Sequence, residues 1–221
     1  MAWFTPDFNL FFKELAAHND REWFTAQRQR YEQSVKEPFA AFTAELIRRI
    51  GRADKAVRIT PKQAIFRIHR DVRFSRDKSP YKLYCAAIIS PAGRGDQMAP
   101  GMYYELGPEA VRIYGGAYAP DKERLAAIRH AVLADGAALR KIVDGAAFRR
   151  TFGTVQGEVN KVLPAPFKAA MAREPLIVHK QFYVAAELPP AMVTDPALAD
   201  VLMAHHRVLR PFHAWLRKAM G

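Results

Sequence analysis

The chain has 221 residues, of which half are hydrophobic and a quarter are charged, as in an ordinary globular protein. This length can bury a sizeable core, and we expect residues 1–221 to form a single domain. The one cysteine, Cys85, excludes an intrachain disulfide. No apolar run approaches the roughly 18 residues that span a bilayer, and the first residues do not have the pattern of a signal peptide. We therefore expect a cytoplasmic protein with no membrane partner.

The net charge of +12 is concentrated in one part of the chain. Residues 46–104 contain 13 Lys and Arg residues against 4 Asp and Glu residues, a net of +9, and the other 162 residues contribute only +3. Genome base composition can make a whole chain arginine-rich, but it does not concentrate the charge in one segment. Localised positive charge attracts anions. This segment is therefore where an anion site is expected.

Amphipathic helices are predicted at the start of the chain. Thr5 and Pro6 form a typical helix start, and apolar residues then recur at helical spacing from Phe8 onwards. Asp20 can cap a second helix, and a third is expected over about 38–52. Three helices therefore precede any strand.

Strand patterns begin after residue 61. We predict strands at 64–74 and 83–90, and a hairpin of 102–106 and 110–114. Helices return from residue 120, a further strand is expected within 176–188, and a last helix follows 194–196, with Pro211 expected to kink or split it. This order predicts an α+β fold with a central antiparallel sheet flanked by N-terminal and C-terminal helices.

The alternation within 64–74 would place Arg67, His69, Asp71 and Arg73 on one face of a strand. The opposite, apolar face would carry one charge, Arg70, among Phe66, Ile68, Val72 and Phe74. A buried arginine needs a carboxylate or several carbonyls, and Glu22 and Glu105 are candidate partners. We interpret Arg70 as a structural ion pair.

The polar face has the composition of an anion site. Arginine forks can bind a phosphate bidentately, and serine hydroxyls add donors. The predicted anion-binding residues are Arg67, His69, Arg73, Ser75, Arg76, Lys78 and Lys82. Tyr81 and Tyr84 could stack on a base or ring. The alternative is a solvated edge whose arginines pair with Asp71 and Asp77.

Other chemistry has weaker support in the sequence. His205 and His206 are adjacent, so they face different sides of a helix, and His206 and His213 are two turns apart. We therefore predict no metal site and no cofactor. His69 and Asp71 could act as an acid–base pair.

The stretch from Phe66 to Lys82, Phe-Arg-Ile-His-Arg-Asp-Val-Arg-Phe-Ser-Arg-Asp-Lys-Ser-Pro-Tyr-Lys, resembles a family of conserved hypothetical proteins of bacteria and fungi, domain of unknown function 2461. The motif Asn-Asp-Arg-Glu-Trp-Phe at 19–24 and the segments 103–106 and 114–118 are similar to the same family. The resemblance covers nearly the whole chain and is weakest in 153–175. It implies no established reaction and no catalytic residues.

Three functions remain open. The first, which we favour, is a module that binds a phosphate-bearing ligand or nucleic acid. The second is an enzyme acting on an anionic substrate through His69 and Asp71. The third is a module that binds a protein partner, for which an exposed apolar patch is expected. The sequence does not define the oligomeric state.

Overall fold

A four-stranded antiparallel sheet forms the centre of the computed structural model, which describes residues 1–96 and 98–221. The strands lie side by side in chain order: β1 (Cys85–Ile89), β2 (Gly101–Leu106), β3 (Val111–Ala117) and β4 (Phe182–Leu188). Each strand is antiparallel to its neighbour, and residues 107–110 connect β2 to β3. The predicted α+β fold, the hairpin and the strand within 176–188 are confirmed.

Helices lie before β1, between β3 and β4, and after β4. They are α1 (Asp7–Ala17), α2 (Arg21–Ala26), α3 (Arg28–Tyr31), α4 (Glu37–Ala53), α5 (Pro61–Ala64), α6 (Lys122–Val143), α7 (Ala146–Phe152) and α8 (Leu198–Met220). The Asp20 side chain accepts a hydrogen bond from the Trp23 N–H at 2.8 Å, so Asp20 caps α2 as predicted. A π-helical turn, Glu32–Lys36, joins α3 to α4.

Pro211 was expected to kink or split the last helix, and the helix is not split, because it continues through Pro211 from Leu198 to Met220. A proline removes one hydrogen bond to the carbonyl four residues earlier, which belongs here to Arg207. Both residues are exposed, and water can therefore bond the carbonyl that proline leaves free.

One face of the sheet is covered by helices from both ends of the chain. Its side chains, which include Met102, Tyr104 and Ile113, are fully buried. Tyr104 contacts Phe39 on α4. On β3, a Cβ added to Gly115 would lie 2.5 Å from a methyl carbon of Leu209, so glycine allows α8 to approach the strand closely. We call this the covered face.

On the other face of the sheet, β2 and β3 carry polar and aromatic side chains that are only partly buried, whereas Ala86 and Ile88 of β1 are buried on that face. In β2 and β3 the alternating residues are Tyr103, Glu105, Arg112 and Tyr114. Tyr103 pairs with Tyr114, and Arg112 lies between Glu105 on β2 and Glu187 on β4. We call this the open face.

The predicted strand at 64–74 is wrong in its extent. Thr60 and Gln63 form a capping box, so the backbone at 61–64 is helical instead. Residues 65–70 then run antiparallel to 80–87 with isolated bridges at Ile65–Ala87 and His69–Tyr81. The pairing register of the two segments shifts by two residues between these bridges, and this shift interrupts a regular ladder. Residues 71–79 form a loop.

Candidate functional site

The loop 71–79 is held by its own charged groups. The Asp71 carboxylate accepts hydrogen bonds from Arg73 Nε at 2.9 Å and from Arg73 Nη2 at 2.7 Å. These bonds lower the pKa of Asp71 to about 2. Lys78 Nζ donates to the Val72 carbonyl at 3.0 Å. Two of the predicted anion-binding cations, Arg73 and Lys78, therefore have partners within the loop.

Arg70 forms its ion pair with Asp77, not with Glu22 or Glu105. Its guanidinium also donates to the Ser79 carbonyl at 3.3 Å. Hydrogen bonds from Ser79, followed by the bond from Arg70, lower the pKa of Asp77. The Arg70 side chain is 28% exposed, so this pair lies at the surface and joins the two ends of the loop.

The exposed side of the segment contains most of the predicted site. Arg67, His69, Arg73, Arg76 and Lys78 are exposed. Ser75 and Lys82 are partly buried.

Two aromatic predictions in this segment are wrong. Phe74 is 97% exposed and does not reach the core, because the alternation ends where the loop leaves the sheet. Tyr81 is buried and stacks on Phe24, with ring centroids 4.1 Å apart, so it cannot stack on a ligand. Asn19 holds the backbone of Tyr81 through two hydrogen bonds of 3.0 and 3.1 Å.

A cleft of about 440 Å³ lies between residues 70–84 and the β2–β3 connection. Its polar lining residues include Asn19, Ser79 and Tyr84. Its charged side chains have both signs: Arg70, Lys82, Arg112, Asp71, Asp77 and Glu109. Of the predicted anion-binding residues, only Lys82 lines this cleft.

Lys82 differs from the other cations of the cleft. Arg70 is paired with Asp77, and Arg112 with Glu187 at 2.9 Å. Among the described residues, no carboxylate lies within 4.0 Å of Lys82 Nζ, which is 5.5 Å from the centre of the Phe66 ring. Burial lowers the pKa of Lys82, and the charge of Glu105 partly opposes this effect. Lys82 is therefore available to an anion that enters the cleft.

The open face of the sheet adjoins the cleft at Tyr84 and Arg112. The Tyr103 hydroxyl donates to Glu105 Oε1 at 2.7 Å, and the rings of Tyr103 and Tyr114 are 5.7 Å apart. Burial and the charge of Glu105 raise the pKa of each of the phenols of Tyr84, Tyr103 and Tyr114. These groups are therefore neutral hydrogen-bonding groups at physiological pH.

The sequence prediction of the site missed the open face. The hairpin at 102–114 was predicted, and its alternation separates Tyr103 and Glu105 from Tyr104 and Leu106. That alternation was the available signal. It would have grouped Tyr103 and Glu105 with Arg112 and Tyr114 across the hairpin.

The predicted acid–base pair is not formed. The Asp71 carboxylate is bonded to Arg73, and the His69 ring packs against Tyr81 with centroids 5.1 Å apart. In the part of the chain that the structure describes, no group of three His, Cys, Asp or Glu residues is arranged to hold a metal ion. Within the same residues, no helix combines the length and apolar composition needed to cross a bilayer.

A second cavity, of about 340 Å³, lies at the other end of the sheet order, between α6, α7 and residues 154–179. Both arginines that line it are paired, Arg140 with Glu174 and Arg149 with Asp144. This cavity therefore presents no available cation comparable to Lys82.

Comparison with known families agrees with the resemblance seen around residues 66–82. A family model described as conserved hypothetical protein (DUF2461) matches residues 7–215, and the chain belongs to this family. No curated protein and no solved structure shows significant similarity to the chain.

Proposed function

We propose that this member of the conserved hypothetical protein family (DUF2461) binds a phosphate-bearing ligand, with Lys82 in the cleft and Arg67 and Arg76 beside it. The observation that carries the proposal is the position of Lys82, a partly buried cation in a cleft whose two arginines are already paired. A lysine ammonium binds phosphate as a point charge, and partial burial strengthens that attraction.

The exposed cations extend this attraction beyond the cleft. Arg67 and Arg76 are exposed, and the described residues provide no carboxylate within 4.0 Å of either guanidinium. Arg73 can contribute long-range charge but would have to leave Asp71 to bind a phosphate bidentately. Single exposed contacts contribute little because water and salt screen them, so affinity would come from several contacts together.

A protein partner is the second candidate, and Phe74 is the observation that favours it. This ring is almost fully exposed and lies in a loop that also carries Arg73, Arg76 and Lys78. An exposed phenyl group among cations suits an acidic protein surface that has an apolar pocket.

We also propose a cytoplasmic location. The one cysteine, Cys85, is a free thiol buried in β1, and a chain that does not rely on an intrachain disulfide fits a reducing compartment.

The test is a titration of labelled nucleotides, single-stranded oligonucleotides and duplexes at low and physiological salt. We expect wild-type binding to weaken as salt rises, because phosphate contacts release counterions. The variant Arg67→Ala/Arg76→Ala should bind about tenfold more weakly, with a salt slope smaller by about 1–2. Lys82→Gln should weaken the binding of every phosphate ligand that enters the cleft.

The matched control is Arg150→Ala/Arg173→Ala. It removes the same charge from exposed positions on segments that pack near α6, at the opposite side of the sheet from β1. This control should bind like the wild type. Absence of binding by the wild type to every probe at low salt contradicts the proposal. Equal binding by both double variants would show that the binding surface does not include Arg67 and Arg76.

A further inference from the structure

The open face of the sheet presents aromatic rings next to the basic segment. Tyr84, Tyr103, Tyr114 and Tyr183 are partly exposed; we call this group the tyrosine face. The ring of Phe66 lies 5.7 Å from that of Tyr103, and Tyr118 lies 5.2 Å from Tyr183. Aromatic rings therefore extend across the sheet from the β1 edge to β4.

Cations lie at one end of this row of rings. Lys82 Nζ is 5.5 Å from the centre of the Phe66 ring, and the charge of Arg67 reaches Lys82 closely enough to lower its pKa further. At the other strands, Arg112 is held between Glu187 at 2.9 Å and Glu105 at 3.7 Å. A polyanion is therefore attracted to the β1 edge and not to the middle of the sheet.

We propose that the phosphate-bearing ligand is a single-stranded nucleic acid whose bases stack on the tyrosine face while its backbone follows Arg67 and Lys82. This inference rests on the proposed function. Base stacking on aromatic side chains and backbone contacts to cations are the two components of single-strand recognition. The tyrosine face supplies the first component, and the cations of the β1 edge supply the second.

The chemistry of the tyrosines fits this ligand. Their raised pKa values keep the phenols uncharged, so the face adds no negative charge beyond its carboxylates. A duplex fits less well, because its bases are already stacked and paired and cannot lie on a sheet surface.

The experiment compares three labelled probes of equal length at low salt: a thymidine oligonucleotide, the same backbone with abasic sites, and a duplex. For the wild type we expect the abasic strand and the duplex to bind at least about tenfold more weakly than the thymidine strand. This comparison needs no variant, so it stands even if a substitution disturbs folding.

The variant Tyr84→Val/Tyr114→Val should lose about tenfold or more of the affinity for the thymidine strand and little of the affinity for the abasic strand. Arg67→Ala/Arg76→Ala should weaken binding of both strands by a similar factor. Phe74→Ala is the matched aromatic control, because it removes an exposed ring from the loop without changing the sheet, and it should bind like the wild type.

The outcomes separate the two proposals. Equal binding of abasic and thymidine strands, with loss in the arginine variant, overturns base stacking and leaves phosphate binding standing. A loss in Phe74→Ala with none in the tyrosine variant would place stacking on the loop and also overturn this inference. Absence of binding to every strand overturns this inference, and it contradicts the proposed function as well when the labelled nucleotides also fail to bind.

Discussion

Tyr103 and Tyr104 are neighbours in β2 and lie on opposite faces of the sheet. Tyr104 is fully buried on the covered face, where its hydroxyl lies 2.8 Å from that of Thr43. Thr43 itself donates to the Phe39 carbonyl, so Tyr104 is the donor to Thr43. Tyr103 is partly exposed on the open face, and its hydroxyl donates to Glu105.

The difference shows that alternation along one strand places core-packing side chains on one face of the sheet and surface side chains on the other. Both hydroxyl groups have partners, but Tyr104 donates to a neutral group inside the helix layer and Tyr103 donates to a carboxylate that is 13% exposed. The covered face contributes packing, and the open face leaves aromatic edges and charges at the surface. In a sheet with one covered and one open face, residues on the open face can be substituted at little cost to the free energy of unfolding.

The largest expected effect comes from truncating the two tyrosines. Tyr104→Ala leaves a cavity between the sheet and α4, and it should lower the free energy of unfolding by about 3–5 kcal/mol. Tyr103→Ala removes a side chain from the open face and should cost about 1 kcal/mol. Urea denaturation of both variants measures the difference. Equal losses would show that the open face is packed as tightly as the covered one.

The second largest effect is expected from acid, which should destabilise the packing of α8 on the covered face. Burial lowers the pKa of His213 to about 3 and that of His206 to about 4. The His213 Nε2 accepts the Gly116 N–H at 3.1 Å, so this imidazole is neutral in the fold. Arg210, Arg217 and Arg207 on α8 disfavour a further positive charge at His206, and Asp54, which follows α4, partly opposes them.

These lowered pKa values determine the direction in which stability changes with pH. In the unfolded chain both imidazoles take up protons below about pH 6.5, whereas in the fold they remain neutral to lower pH. Stability should therefore be complete above about pH 6.5 and fall by about 3 kcal/mol or more towards pH 4. Thermal or urea unfolding across this range checks it, and His213→Gln should flatten the profile. A profile unchanged in His213→Gln would assign the acid sensitivity to other groups.

The regular strands could be predicted from the sequence, but the most buried arginine could not. The hairpin at 102–114 was located correctly, and its alternation contains the signal that separates the two faces of β2 and β3, because each strand faces a core on one side only. Alternation from 64 to 74 failed, because the Thr60 capping box and the change of register are determined by neighbouring segments.

Arg129 on α6 is the buried arginine, at 8% exposed, whereas Arg70 was expected in that role. Its Nε donates to the Ile177 carbonyl at 3.0 Å and its Nη2 to the His179 carbonyl at 3.2 Å. Its Nη2 also donates to Asn160 Oδ1 at 3.3 Å. All three acceptors lie in a distant, irregular segment, and two of them are backbone carbonyls, which no residue type in the sequence marks. Loops that fold against a helix therefore limit what sequence patterns predict.

The smallest effect is expected from the charges of the open face. Arg112→Gln removes the cation between Glu105 and Glu187, and it should cost about 0.5–1 kcal/mol, because such partly exposed pairs are screened by water and salt. Glu187→Gln should cost less, since the Glu187 side chain is 65% exposed. A double-mutant cycle in low and high salt measures the pair, and the coupling should shrink as salt rises. A loss above about 2 kcal/mol for Arg112→Gln would mean that Glu105 is left as a buried, unpaired charge.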